Sequence, residues 1–351
     1  MVEMMVAITL ALIVTTGVVS VFVGSRAAFQ ATSGTAELTD GGRFALNFIS
    51  NSVRSAGYMG CATASHVQGI LNNSTTLPLS FNEALGGFEA NNTSVGAAFA
   101  VAPPPVAGDG NAAHWVGGLD AALAALPVTS SPVKNSDVLV VRSTPANAQT
   151  SYVSVIADGS PQFTVNTQGS LQVGQTAVVS DCYKAVAFQI TALTPGANAV
   201  VTHNAGAGNS SASFGQLSFT PGTQVTPVDT VVYYIGPGAD GDGALFVDDL
   251  NAVPFVGPTE LVPDIEAMQI LYGLDTSSTQ TVSEYVTADQ VADFNTVMSV
   301  KVAVLAASAP GSAKTAVANT YTLLGTTVTA PIDSRARQVF EQTIAVRNAL
   351  P

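Results

Sequence analysis

From residue 4 to residue 24 the chain reads MMVAITLALIVTTGVVSVFVG, without a charge or a proline. No other feature narrows the possible folds as much. As a helix this run spans about 30 Å, the thickness of a bilayer's hydrocarbon core. A secretory signal peptide would carry a basic region ahead of a shorter apolar run and a small-residue cleavage site behind it. Here the only charge ahead is an acid, Glu3, and the first basic residue, Arg26, lies beyond the run. A plain membrane anchor accounts for the length but leaves Glu3 unexplained. A carboxylate at the edge of an apolar helix needs the interface or a partner. A free α-amino group, on the same chain or on a neighbouring copy, would serve.

The helical pattern continues past the apolar run. After a softer stretch with Gly34, Gly41 and Gly42, apolar residues recur at Phe44, Ala45, Phe48, Ile49, Val53 and Ala56. These are the i, i+3, i+4 steps of an amphipathic helix, with Thr39 or Asp40 placed to cap it. One long, glycine-loosened helix is expected, residues 1–25 in lipid and 26–60 packed on a head domain of 61–351. Such a spike suits lateral packing into a fibre.

Within the head, residues 62–135 are rich in Ala, Asn, Gly and Pro, with weak periodicity apart from AALAAL at 121–126. A connection of that length reads as a functional surface loop or an elaborated insertion. Strands bounded by turn residues follow at 138–142, 152–156, 162–165, 176–180, 185–191, 199–202, 216–219, 230–235 and 244–247. Further strands are expected at 266–272, 297–305, 315–323 and 339–347. The last alternates along its length, as a half-buried antiparallel strand does. No repeat of fixed period is present, which disfavours solenoids and propellers. The class is α+β, a long helix laid across an antiparallel sheet.

Composition agrees. Hydrophobic residues make up 47% of the chain, ample for a core, and only 10% are charged, against roughly 25% in soluble domains. Eleven Lys and Arg face 24 Asp and Glu, a net charge of -13. A polyanion cannot release counterions from phosphates, so the direct sequence signal is against nucleic-acid binding.

MVEMMVAITLALIV resembles the N-terminal segment of type IV pilins and type II secretion pseudopilins, with Glu3 at the position of their acidic residue. GGRFALNFISNSVRSAGYMGC, SDVLVVRS, VVSDCYKAVAFQIT, IEAMQILYGLD and VFEQTIAVRNALP resemble the PilW-type minor pilin. The resemblance implies a pilin fold enlarged by 62–135 and a mid-chain β-rich region. It implies a structural protein, not an enzyme and without a cofactor, held in the inner membrane with a periplasmic head until extraction into an extracellular pilus. Its implied partners are other minor pilins, the major pilin, a tip adhesin and the inner-membrane assembly platform, in support of adhesion, twitching motility or DNA uptake. It also implies a short basic leader ending in Gly ahead of this segment. A misassigned start and a trimmed chain both account for Met1 standing where it does. A J-type pseudopilin of type II secretion and a membrane-anchored binding domain or enzyme are the alternatives.

Glu3 is the leading site residue, read as setting subunit register through the terminal amine of a neighbour. Cys61 and Cys182 are the only cysteines. Export would oxidise them, and a bridge between them would tie the end of the helix to a central strand; two free buried thiols are the alternative. His66, His114 and His203 lack metal-ligand spacing and read as surface residues. GADGDGALFVDDL places Asp240 and Asp242 in an Asp-x-Asp-Gly sequence. The further ligands of a calcium loop are missing, so a hairpin turn is expected there and the metal reading is the weaker one.

Overall fold

The structure is a computed structural model, which describes residues 2–349 apart from 207, 216, 278 and 314. It opens with one unbroken helix, α1 (Val2–Ser55). Three short strands and a helical turn follow: β1 (Val67–Gly69), β2 (Leu85–Phe88), β3 (Ala98–Ala100) and α2 (Ala121–Ala124). Then come β4 (Val138–Ser143), β5 (Ser151–Ile156), β6 (Gln162–Val165), β7 (Thr176–Ser180), β8 (Ala185–Gln189), β9 (Ala192–Thr194), β10 (Ala199–Thr202) and β11 (Gln224–Pro227). The chain continues with β12 (Asp229–Pro237), β13 (Gly243–Asp249), β14 (Thr259–Pro263), β15 (Ile265–Leu274) and β16 (Glu284–Val286). It closes with β17 (Val297–Ala307), β18 (Thr320–Leu323), β19 (Thr326–Thr329) and β20 (Arg337–Ala345). The fold is α+β and pilin-like.

Among the described residues four sheets form, in the orders β16-β15-β17-β20, β14-β13-β12-β4-β2, β18-β19-β3 and β1-β8-β7-β11-β5-β6-β10-β9. The C-terminal half of α1 packs on β20, β17 and β14. The small β18-β19-β3 sheet covers side chains of β15 and β17, with Leu323 and Val328 against Ala267, Ala303 and Leu305. The eight-stranded sheet encloses its own core around Phe163, Phe188, Val179 and Val225. Its other face, with Val178, Ala185 and Ala187, joins the core beneath α1.

Residues 62–135 are packed rather than loose. Trp115, Leu119 and Leu123 are buried against Val138, Val140, Val232 and Tyr234, and Trp115 Nε1 donates to the Ser136 carbonyl at 3.2 Å. Within this connection α2 forms where AALAAL stands, capped by Asp120 accepting from Ala122 N at 2.8 Å. The strand expected at 216–219 does not form: Gln216 lies outside the described residues, and 217–219 is irregular.

Two expectations for α1 are corrected. No cap interrupts it at Thr39 or Asp40; the Thr39 hydroxyl instead donates to the Thr35 carbonyl within the helix, at 2.8 Å. The buried stripe is also rotated. Gly34, Leu38, Gly42, Ala45, Leu46, Ile49, Ser50 and Val53 face the sheet, whereas Phe44 and Phe48 remain 58% and 43% exposed. Two of the glycines bring the helix backbone close to the sheet. A Cβ built on Gly42 would stand 2.2 Å from the Phe340 ring, and one on Gly34 would stand 2.1 Å from Ser312 Oγ. Alanine alone would gain up to about 1 kcal/mol of helix propensity. Overpacking costs typically 1–3 kcal/mol, and a partly buried ring backed by β17 has little room to retreat. Gly42→Ala is therefore expected to lower the head's stability by about 1–2 kcal/mol in urea unfolding. Phe340→Ala in the same chain should cancel most of that loss; additive effects would mean that the close approach does not decide the sign.

Candidate functional site

The N-terminal half of α1 has no packing partner among the described residues. Its apolar window has a mean hydropathy of 2.5 and none of it is buried. The hydroxyls of the apolar run 4–24 are satisfied within the helix. Thr15 donates to Ala11 O and Thr16 to Leu12 O, both at 2.7 Å, and Ser20 to Gly17 O at 3.1 Å. Hydroxyls bonded to their own helix can enter hydrocarbon without an unmade hydrogen bond. Glu3 lies in the first turn, where a carboxylate complements the positive end of the helix dipole, and no hydrogen bond or ion pair holds it among the described residues. Met1, whose amino group is its nearest possible partner in sequence, lies outside those residues.

The helix ends at Ser55, and Gly57, at φ +75°, turns the chain away in the left-handed conformation that favours glycine. Cys61 follows. It is bonded to Cys182, with their Cα atoms 4.5 Å apart. Cys182 sits in the turn joining β7 to β8, where Asp181 N donates to Lys184 O at 3.1 Å. The bridge thus ties the exit of the helix to a hairpin tip of the eight-stranded sheet, rather than to the body of a central strand. Beside it Tyr183 is 88% exposed.

The Asp-x-Asp-Gly sequence forms the β12–β13 turn, closed by Gly238 N donating to Asp242 O at 2.6 Å. Asp242 is engaged by Arg335, which also donates to Asp264 Oδ1 at 3.0 Å. Two residues further on, Arg337 donates to both oxygens of Glu266, at 2.6 and 2.8 Å, and to both of Asp333, at 2.7 and 2.6 Å. A guanidinium with two bidentate carboxylates, almost wholly buried, is a strong tie. These arginines carry no signal of their own in the sequence. No group of three or more metal-ligating side chains occurs among the described residues.

Of the histidines, His66 is exposed and His114 is paired with Asp109. The surface reading fails for His203, which is fully buried. Its ring stacks on Phe214 with centroids 4.1 Å apart and lies within 6 Å of Phe163 and Phe188, and neither ring nitrogen has a partner among the described residues. Burial holds its pKa down to about 4. Elsewhere Asp137 accepts from Ala90 N at 3.0 Å and from Ile270 N at 2.8 Å, pinning the five-stranded sheet to the edge of β15. Burial pushes Asp137 and its neighbour Glu89 above the usual carboxylate range, and the Asp137 charge raises Glu89 further.

These shifts act on stability in opposite senses. His203 is lowered in the fold, so its contribution is present above its ordinary value of roughly 6.5 and is lost as pH falls towards the folded value. The raised carboxyl pair contributes most below the ordinary carboxylate range, and that contribution is lost as pH rises. The two act over the same range: His203 opposes the carboxyl pair from about pH 4 to 6.5, and above that range the pair alone lowers the melting temperature as pH rises to about 9. His203→Phe is expected to steepen the fall of melting temperature with rising pH between about 4 and 6.5, and Glu89→Gln to flatten the fall towards about pH 9; a pH profile unchanged in both variants would assign the dependence to other groups.

An apolar helix half exposed, a helix half docked by glycine and a disulfide-tied β head together define a pilin-like protein. Residues 232–348 match the model of the family described as type IV pilus-assembly protein W. That is a third of the chain, and over it the PilW-type resemblance is shown; it supports a part in type IV pilus assembly. No curated protein gives a significant match, and no solved structure does. The matched stretch runs from β12 to the end of β20 and contains the whole Arg335–Arg337 network. A pilus-assembly family implies contact with other pilus components, and the exposed helix is a candidate membrane span or signal.

Proposed function

We propose that the chain is a minor pilin, held in the inner membrane by the first half of α1 with its head in the periplasm, and then drawn into a filament. The observation that carries this reading is the bare apolar half-helix on a head of which residues 232–348 match a pilus-assembly family. In the membrane, lipid covers that half; in a filament, the helices of neighbouring subunits do. Glu3 then sets axial register by pairing with the terminal amine of a neighbour. An unpaired charge in an apolar core costs several kcal/mol, so only the register that pairs it is tolerated. The head, with its loops, selects neighbours. The resemblance adds a place in a tip complex of minor pilins that primes assembly and presents an adhesin, supporting adhesion and twitching motility.

The test is a deletion strain, with surface filaments sheared off and type II secretion assayed in parallel. Loss of pili with secretion intact, and the chain recovered in sheared filaments of the parent, supports a minor pilin. Intact pili with blocked secretion would instead make it a J-type pseudopilin. Glu3→Ala is expected to leave the chain in the membrane fraction and remove it from sheared filaments. A chain whose function survives Glu3→Ala, in a strain with both systems running, would be an anchored domain outside any filament.

A further inference from the structure

The small β18-β19-β3 sheet ends in an open edge. In its parallel ladder, Thr327 N donates to Ala97 O at 2.9 Å and Val101 N to Thr329 O at 3.0 Å, with Thr327 opposite Ala98 and Thr329 opposite Ala100. Residues 97, 99 and 101 therefore turn their backbone groups towards β19. The N–H and C=O of Ala98 and Ala100 point the other way, where no strand lies. Phe99 and Val101 pack inward on the Leu305 and Val328 cluster, leaving Ala98, Ala100 and Ala102 exposed. Natural edges are usually blunted by charged side chains, bulges or proline. This one presents only alanine until Pro103.

Beside the edge lies a cavity of about 350 Å³, walled by Phe99, Ala100, Pro105, Val106 and Val133, with Lys134 in its lining. Its acids are taken: Asp242 by Arg335, Glu266 by Arg337 and Asp109 by His114. Lys134 is exposed and has no carboxylate partner among the described residues. The free charge at the cavity is thus positive, on a chain of net charge -13.

We propose that this edge and cavity receive an extended segment of a partner protein. The segment adds a strand beside β3, places an apolar side chain between Phe99, Pro105 and Val133, and brings a carboxylate to Lys134. Backbone pairing supplies affinity in such strand addition, and the pocket supplies selectivity. A second copy fits less well. Its own β3 would set alanine against alanine, leave the cavity unfilled and bring two strongly anionic chains together. This inference rests on the filament reading, which puts neighbouring proteins beside the head, and names the surface one of them uses.

The experiment places a photo-crosslinking phenylalanine derivative at Ala98 of the full chain in piliated cells, with Asp158, exposed in the β5–β6 turn, as the control position. The expected result is an adduct from Ala98 in sheared filaments whose fragments map to one segment of one other filament protein, absent from the Asp158 sample. Ala100→Pro removes an outward N–H that the fold does not use, and should abolish the adduct; Lys134→Glu, at an exposed side chain, should weaken it. An Ala98 yield no higher than the control, an adduct only with a second copy, or an adduct indifferent to both substitutions would overturn the proposal. If the chain is absent from sheared filaments, the filament reading fails instead. The membrane fraction, irradiated in parallel, then decides the edge by the same criteria.

Discussion

Reduction of the Cys61–Cys182 bridge is expected to lower the melting temperature of the head by about 10 °C or more. The two cysteines are 121 residues apart, and in the chain-entropy description a closed loop of that order restrains the unfolded state by about 5 kcal/mol. Both cysteines are solvent-exposed, so a mild reductant reaches them without prior unfolding. The tie joins the helix exit to the eight-stranded sheet, one face of which (Val178, Ala185, Ala187) shares the core under the helix while the other encloses its own. Calorimetry with and without reductant measures the effect, and Cys61→Ser with Cys182→Ser should melt like the reduced parent whether or not reductant is present. Equal melting of oxidised and reduced parent would show that the bridge carries no stability.

Arg337→Ala should be nearly as damaging. It strands the buried carboxylate of Glu266 and half-frees Asp333, and breaking a buried ion pair from one side costs about 3–5 kcal/mol. The same network holds the connection between β19 and β20 against the start of β15, so the loss should be concentrated in the sheet on which α1 docks. Removing the charges together is a different matter, since apolar replacements of buried pairs are often neutral. Arg337→Met with Glu266→Leu is thus expected to recover most of the stability lost in Arg337→Ala. Urea unfolding of the variants decides it. A double variant no more stable than Arg337→Ala would mean that geometry at this junction needs the ions themselves.

Local patterning explains why so many elements were legible before any tertiary contact was known. Strands at 162–165, 176–180 and 199–202 coincide with β6, β7 and β10 to the residue, because short β-branched runs between Gly, Pro and Asn turns carry their own boundaries. Three-residue strands such as β1 and β3 carry no such signal. They exist only because β8 and β19 lie alongside to pair with them. The same contrast runs through the sites. Glu3 and the lone pair of cysteines stood out in sequence by their isolation. Arg335, Arg337, Asp137 and His203 did not, since each takes its meaning from partners such as Asp242, Glu266, Ile270 and Phe163, 40 to 133 positions away.

Alone, the sequence determined an apolar helix long enough to cross a bilayer, an acid at its start, a helix continuing into a β-rich head and two cysteines available to each other. Periodicity and hydropathy are properties of neighbouring residues, and a linear reading captures them. Tertiary structure decided which face of the helix is buried. It turned Phe44 and Phe48 outward and put Gly34 and Gly42 against the sheet, because close approach of a helix backbone is selected by what stands opposite. It also decided that the long 62–135 connection is packed around Trp115, that a histidine lies among phenylalanines, and that one strand edge beside a cavity was left open. Those are outcomes of which surfaces meet, and no local pattern encodes a meeting between residues so far apart in the chain.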